Sequence, residues 1–166
     1  MGGLKKIKFY NNQDPEIRYL SANIFNQMDL YLVYTGVLRS STTVLESVDI
    51  DKSIPLLKDV EDLELAINTA DLNLFHTVIN RTWANKKETS KYICENKSLI
   101  ELDNKLIDDS NVLSHKLLGA GNGGYFLIFT EKGKESIIRN SYINVNKIHI
   151  SETGLTTTNL YDTKYV

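Results

Sequence analysis

Four glycines crowd into the segment "GAGNGG", Gly119 to Gly124. Glycines in such density bring backbone N–H groups within reach of an anion and accept positive φ. The spacing satisfies G-x-G-x-x-G, which in a dinucleotide fold opens a helix whose N-terminus faces a pyrophosphate. The following residues argue otherwise. "YFLIFT", Tyr125 to Thr130, is an aromatic and β-branched run that reads as a strand, so no helix dipole stands at this end. The P-loop pattern fails as well, since Gly124 is followed by Tyr125 rather than by Lys and then Ser or Thr. Two readings remain: a tight turn between strands, and a place where another backbone or a phosphate approaches closely. Four glycines favour the second, because a tight turn seldom needs so many.

Other residues with chemical potential surround this loop in sequence. Lys116 precedes it, either as a phosphate contact or as a solvated lysine at a strand end. Arg39 follows Thr35 and Gly36, and arginine suits planar contact with phosphate or carboxylate; a surface pair with Glu46 is the equal alternative. Lys86 and Lys87 follow Trp83 and either add positive charge to a pocket or form a solvated helix end that suits the dipole. Trp83 reads as core before it reads as a ligand stack. His115 reads first as an exposed junction residue. His76, His115 and His149 have no metal-ligand spacing, Cys94 reads as inert, and the acidic stretches "EDLELA" and "DNKLIDD" read as helix faces rather than catalytic pairs.

The elements that must position these residues belong to a chain of 166 residues, enough for one domain with a real core. Apolar residues make up 42%, charged residues 24%, and the net charge is -2. That balance offers no broad basic field for nucleic acid. No run of ~18 apolar residues exists to span a membrane. A single cysteine and a start without an apolar signal core favour the cytoplasm.

Along the chain, "LKKIKFY" and "EIRYL" flank the turn "NNQDP" and make residues 4–20 a hairpin. "DLYLVYTG" (29–36) is a strand apolar enough for two-sided burial. "RSSTTVLESV" reads as a turn and a short helix capped by Ser40 or Ser41. A helix follows with Leu56, Val60, Leu63 and Ile67 as its inward stripe, Ser53 as N-cap and Pro55 in its first turn. Asp71 caps a second helix bearing Leu72, Phe75, Ile79 and Trp83. A third turns Leu99, Leu102 and Leu106 inward, after the loop "TSKYICEN". Then come "HKLL", the glycine loop, "YFLIFT", a short helix in "KGKESIIRN", a strand in "NKIHIS" and a last edge strand in "LTTTNLY". Strands, then helices, then strand–helix–strand describe an α+β fold, a mostly antiparallel sheet covered by helices.

At this level of detail the residues resemble a known family. "KLLGAGNGGYFLIF" resembles the third motif of the GHMP small-molecule kinases. "LYLVYTGVLRSSTTVL" (30–45) and "INRTWANKKETSKYI" (79–93) are similar to the branch that phosphorylates heptose 7-phosphate, and more distantly to fucokinases. The opening "GGLKKIKF" resembles that branch's "G-G" strand. The resemblance runs collinearly over nearly the whole chain. It implies the ferredoxin-like C-terminal domain of such a kinase at residues 23–166, with the hairpin of residues 1–22 a remnant of the other lobe.

The resemblance also implies chemistry. A complete kinase of this kind transfers the γ-phosphoryl group of ATP, with Mg²⁺, to a sugar hydroxyl, the anomeric one in the heptose branch. Carried across, Lys116 and the loop of Gly119, Ala120, Gly121, Asn122, Gly123 and Gly124 support the phosphates. Thr35, Gly36, Arg39, Trp83 and Lys86 fall to the substrate, a small sugar phosphate. The family's ATP phosphate loop, P-x-x-x-G-L-G-S-S-A in type, finds no counterpart at Pro15 or Pro55. Its catalytic aspartate lies just upstream of the strand that begins here. The expectation is therefore a half-kinase that is inactive alone, binds neither ATP nor Mg²⁺ tightly, and works with a separate N-terminal lobe. The alternative is a stand-alone sugar-phosphate-binding or interaction module without catalysis.

Overall fold

The structure, a computed structural model, describes residues 2–38 and 42–151. Arg39, the proposed caps Ser40 and Ser41, and the expected edge strand "LTTTNLY" lie outside the described residues. The order of elements is β1 (Leu4–Tyr10), β2 (Gln13–Leu20), β3 (Met28–Tyr34), α1 (Thr42–Glu46), α2 (Ile54–Thr69), α3 (Leu72–Glu88), α4 (Lys97–Asp108), β4 (Ser114–Leu117), β5 (Tyr125–Glu131), α5 (Glu135–Ser141) and β6 (Val145–Ile148). Strands β1 and β2 form a two-stranded antiparallel sheet, and the others a four-stranded antiparallel sheet in the order β4-β5-β3-β6. This is the α+β architecture expected from the sequence.

Alternation along the central strands separates two cores. Tyr31, Val33, Phe126, Ile128 and Leu117 join Leu99 and Leu106 of α4, Trp83 of α3 and Ile138 of α5. Leu30 and Phe129, on the opposite face, join Ala66 and Ile67 of α2 and Phe75 and Ile79 of α3. Helix α3 therefore serves both clusters. Its start is fixed as the sequence predicts, with the Leu74 amide donating to the Asp71 carboxylate at 2.9 Å.

Three local expectations are corrected. The hairpin turn is only Asn11–Asn12, because Asn12 accepts a φ of 59° and lets pairing begin at Gln13. Ser53 precedes α2 without capping it, since its hydroxyl donates to the Asp49 carbonyl instead. The apolar stripe of α2 is also displaced. Val60 is 47% exposed, while Asp59 and Glu64 are buried. Arg81 and Asn85 of α3 donate to Asp59, and Arg81 also reaches Asp62. Those bonds let acidic residues occupy the inward face.

Glu64 holds the hairpin to α2. Lys6 Nζ lies 2.6 Å from one carboxylate oxygen and an Arg18 nitrogen 2.7 Å from the other. The Lys6 bond, aided by Arg18, keeps the Glu64 carboxyl below its ordinary pKa against the effect of burial. Leu4 and Leu20 add apolar contact at the root. Ile7, Ile17 and Tyr19 stay exposed, and Phe9 is 80% exposed. A groove of about 750 Å³ lies between the hairpin and α2, lined by Ile7, Phe9, Leu57 and Val60. Glu64→Gln is expected to raise amide exchange in β1 and β2 several-fold while leaving β3 and β5 protected. Unchanged hairpin exchange would assign its anchoring to Leu4 and Leu20 alone.

Candidate functional site

The turn after β3 and the loop before β5 are joined at one end of the four-stranded sheet. The Thr35 amide and hydroxyl both donate to the Gly124 carbonyl at 2.9 Å. The Gly124 amide returns a bond to the Val37 carbonyl at 3.0 Å, and the Val37 amide donates to the Thr35 hydroxyl at 3.2 Å. The two segments singled out by sequence, separated by some 80 residues, thus form one cross-linked unit. At the loop's base the Leu118 amide donates to the Tyr125 carbonyl, and at its far side Asn122 donates to the Ile93 carbonyl at 2.7 Å.

Close approach explains the glycines, and the approaching groups are backbone. A Cβ on Gly121 would fall 2.9 Å from Ile93 Cα, and one on Gly123 would fall 2.7 Å from the Val37 carbonyl oxygen. Real Cβ contacts are not that short, and both residues also have φ above 120°. The loop is thus wedged between Val37 and Ile93. Among the described residues, the amides of Gly119, Ala120, Gly121 and Gly123 donate to no partner. Backbone N–H groups left without a partner in a glycine loop are available to an anion or to a neighbouring backbone.

Lys86, from the last turn of α3, donates its ammonium to the Gly119 carbonyl and so meets the loop. Lys116 sits half-buried on β4, paired with Leu127, and its ammonium makes no hydrogen bond among the described residues. Burial lowers its ammonium pKa, with Asp59 acting in the opposite sense. The Asn122 side-chain oxygen is buried without a partner. Thr35, Gly36, Lys86 and the loop are therefore assembled in one place, with Lys116 leading into it. Cys94 is half-buried, and burial raises its thiol pKa, which suits an unreactive residue.

Trp83 takes the core position its residue type suggests, rather than the substrate contact the resemblance implies: it is 3% exposed and packs edge-on against Phe126 at 5.8 Å. His115 is not an exposed junction residue; it is 4% exposed. Both converge on Asp103 of α4. The Trp83 indole N–H donates to one carboxylate oxygen at 2.7 Å, His115 Nε2 lies 2.8 Å from the same oxygen, and the Lys87 ammonium lies 2.7 Å from the other. A carboxylate only accepts, so His115 carries a proton on Nε2. Burial opposes the charge on Asp103, but the bonds from His115, Lys87 and Trp83 outweigh it and hold the carboxyl at about 2. Sequence reading missed this hub. Its signal was position, since Asp103 falls between Leu99 and Leu106 on the inward face of α4.

A second feature that sequence reading missed shares the loop's end of the sheet. Tyr34 and Tyr125, paired across β3 and β5, bring their rings to 5.1 Å at the edge of a basin of about 520 Å³. Asn144, Asn146, Arg139 and Tyr142 complete its wall. Among the described residues no group of three or more His, Cys, Asp or Glu is placed to hold a metal ion. No helix among the described residues is long and apolar enough to cross a membrane.

No family model matches the sequence, and no curated protein matches it. Solved structures do. Mevalonate kinase from L. major is 16% identical with a TM-score of 0.62, over 88% of this chain and 48% of its own. Phosphomevalonate kinase from Streptococcus pneumoniae is 12% identical with a TM-score of 0.64, over 82% and 44%. A D-glycero-D-manno-heptose 1-phosphate kinase from Bacteroides thetaiotaomicron is 15% identical with a TM-score of 0.57, over 87% and 40%. The fold is that of the GHMP kinase C-terminal domain. At these identities the likeness is one of fold, and the chain spans less than half the length of each of these neighbours.

Proposed function

We propose that this chain is the C-terminal half of an ATP-dependent sugar kinase of the heptose-phosphate type, which transfers the γ-phosphoryl group to a sugar hydroxyl only with a complementary N-terminal lobe. The observation that carries this reading is the joining of the Thr35–Gly36 turn to the glycine loop. Four loop amides there remain unspent, and Lys86 stands at the rim. Phosphoryl transfer is mainly positioning and charge stabilisation. This site supplies positioning: the amides of Gly119, Ala120, Gly121 and Gly123 suit a phosphate or the phosphate loop of a second lobe. The described residues fit a phosphate but present no donor cluster for Mg²⁺, so no step is assigned here through the metal. ATP, when bound, supplies the transferred group. The chain's part is to brace one wall of the cleft and hold the acceptor.

The exposed hairpin suits the same reading, because Ile7, Phe9 and Tyr19 and the groove beside α2 offer apolar surface to a neighbouring lobe. The test is transfer of labelled phosphate from ATP to D-glycero-D-manno-heptose 7-phosphate and to L-fucose. The chain would be assayed alone and mixed with the separately produced N-terminal lobe of a heptose-phosphate kinase. The expected result is no turnover alone and turnover in the mixture, abolished by Gly121→Val. Turnover by the pure chain that Gly121→Val abolishes would overturn the dependence on a second lobe.

A stand-alone module that binds a sugar phosphate without turnover is the second reading, favoured by the meeting of Lys86 with the loop. Calorimetry would distinguish it, since such a module binds heptose 7-phosphate with the same affinity whether or not the lobe is present.

A further inference from the structure

We propose that the basin beside the glycine loop, edged by Tyr34 and Tyr125, binds the ring of a neutral saccharide. Its volume of about 520 Å³ is that of a small-molecule cleft. The two tyrosines form a tilted aromatic shelf, 5.1 Å between centroids and 44° between planes, and Tyr125 is 41% exposed. An aromatic face gives the apolar C–H face of a pyranose a surface to lie on, and the tyrosine hydroxyls remain as polar handles. Among the described residues, those hydroxyls and the side-chain amides of Asn144 and Asn146 hydrogen-bond no other group. Each amide carries two donors and an acceptor, a set that matches neighbouring sugar hydroxyls.

Charge decides between a neutral ring and an anion. Among the described residues the one charged residue in the wall is Arg139, and its guanidinium is held from two sides. It donates to Glu135 at 2.9 Å and to the Val145 carbonyl at 3.1 Å. The Tyr142 hydroxyl is likewise spent on Asp109 at 2.9 Å. Among the described residues no second cation lines the basin to pair with a phosphate, whereas the loop's amides lie next door. Tyr34 directly precedes Thr35 and Tyr125 directly follows Gly124, so the shelf adjoins the loop. The choice of a sugar rests on the kinase reading, while the existence of the site rests on the geometry alone.

The test is saturation-transfer NMR on the whole chain without ATP, using methyl α-D-mannopyranoside and, separately, adenosine. The expected result is saturation of the mannoside ring protons, retained in Tyr125→Phe and reduced at least fivefold in Tyr125→Ala and Asn144→Gly. Lys97→Ala, at the exposed start of α4, should leave it unchanged. Shifts of the Asn144 and Asn146 amide signals in the unsubstituted chain give a readout that needs no variant. Absence of saturation, saturation unaffected by Tyr125→Ala, or saturation of adenosine alone would overturn the proposal. Sugar binding without transfer in the lobe mixture would leave the site and remove the kinase reading. Transfer without binding in the basin would do the reverse.

Discussion

Asp103→Ala is expected to destabilise the chain by about 3–5 kcal/mol, the usual cost of leaving a buried ionic partner uncompensated. For a domain of this size that is a fall in Tm of roughly 10 °C. Three donors lose their acceptor at once: the Trp83 indole, His115 Nε2 and the Lys87 ammonium. Trp83 and His115 are buried, so water cannot easily replace the carboxylate. The same hub predicts a pH dependence. The folded carboxyl titrates at about 2, below its ordinary 3.8. Its contribution is therefore fully present above pH 4 and is lost as pH falls toward 2. A separation of nearly two pH units corresponds to about 2 kcal/mol. Urea titrations between pH 5 and pH 2 check this. The wild-type chain should lose that amount over the range, and Asp103→Asn should lose correspondingly less. Parallel curves for the two proteins would place the acid sensitivity elsewhere.

Gly123→Ala carries the second large effect. Its new methyl would meet the Val37 carbonyl oxygen at 2.7 Å, at a φ of 146° that alanine rarely adopts. Strain of this kind costs of order 1–3 kcal/mol before the clash is counted. Relief requires breaking the Gly124-to-Val37 bond that joins the two motifs. Gly36→Ala is the comparison, because a methyl there meets nothing within 4 Å. The expected order of melting temperatures is wild type, then Gly36→Ala, then Gly123→Ala, with Gly121→Ala beside the last. In the lobe mixture, Gly123→Ala should also lower transfer more than its loss of stability explains. Equal effects of Gly36→Ala and Gly123→Ala would remove the wedge between Val37 and Ile93 as the reason for the glycines.

Much of this architecture was legible because local signals agreed with tertiary packing. The Asp71 cap, the inward Leu99 and Leu106 of α4, and the aromatic run of β5 each follow from periodicity or end chemistry. Failures occurred where polar residues were buried by partners remote in sequence. Asp59 is satisfied by Arg81 and Asn85, Glu64 by Lys6 and Arg18, and His115 by Asp103. A hydrophobic period cannot see such pairs. It therefore put Val60 inside and His115 outside. At the site, the loop's need for close approach was readable from glycine density, but that Ile93 and Val37 are the approaching groups was not. The tyrosine shelf was missed because single aromatics at strand ends look like core until both are placed side by side.

The strand order β4-β5-β3-β6 has a consequence for synthesis. Strand β3 lies between β5 and β6, so Val33 must wait for Phe126 on one side and Val145 on the other. At roughly 5–20 residues per second the interval is about five to twenty seconds. During that time a strand rich in apolar residues has both edges unpaired, and bare apolar edges of this kind are where growing chains associate.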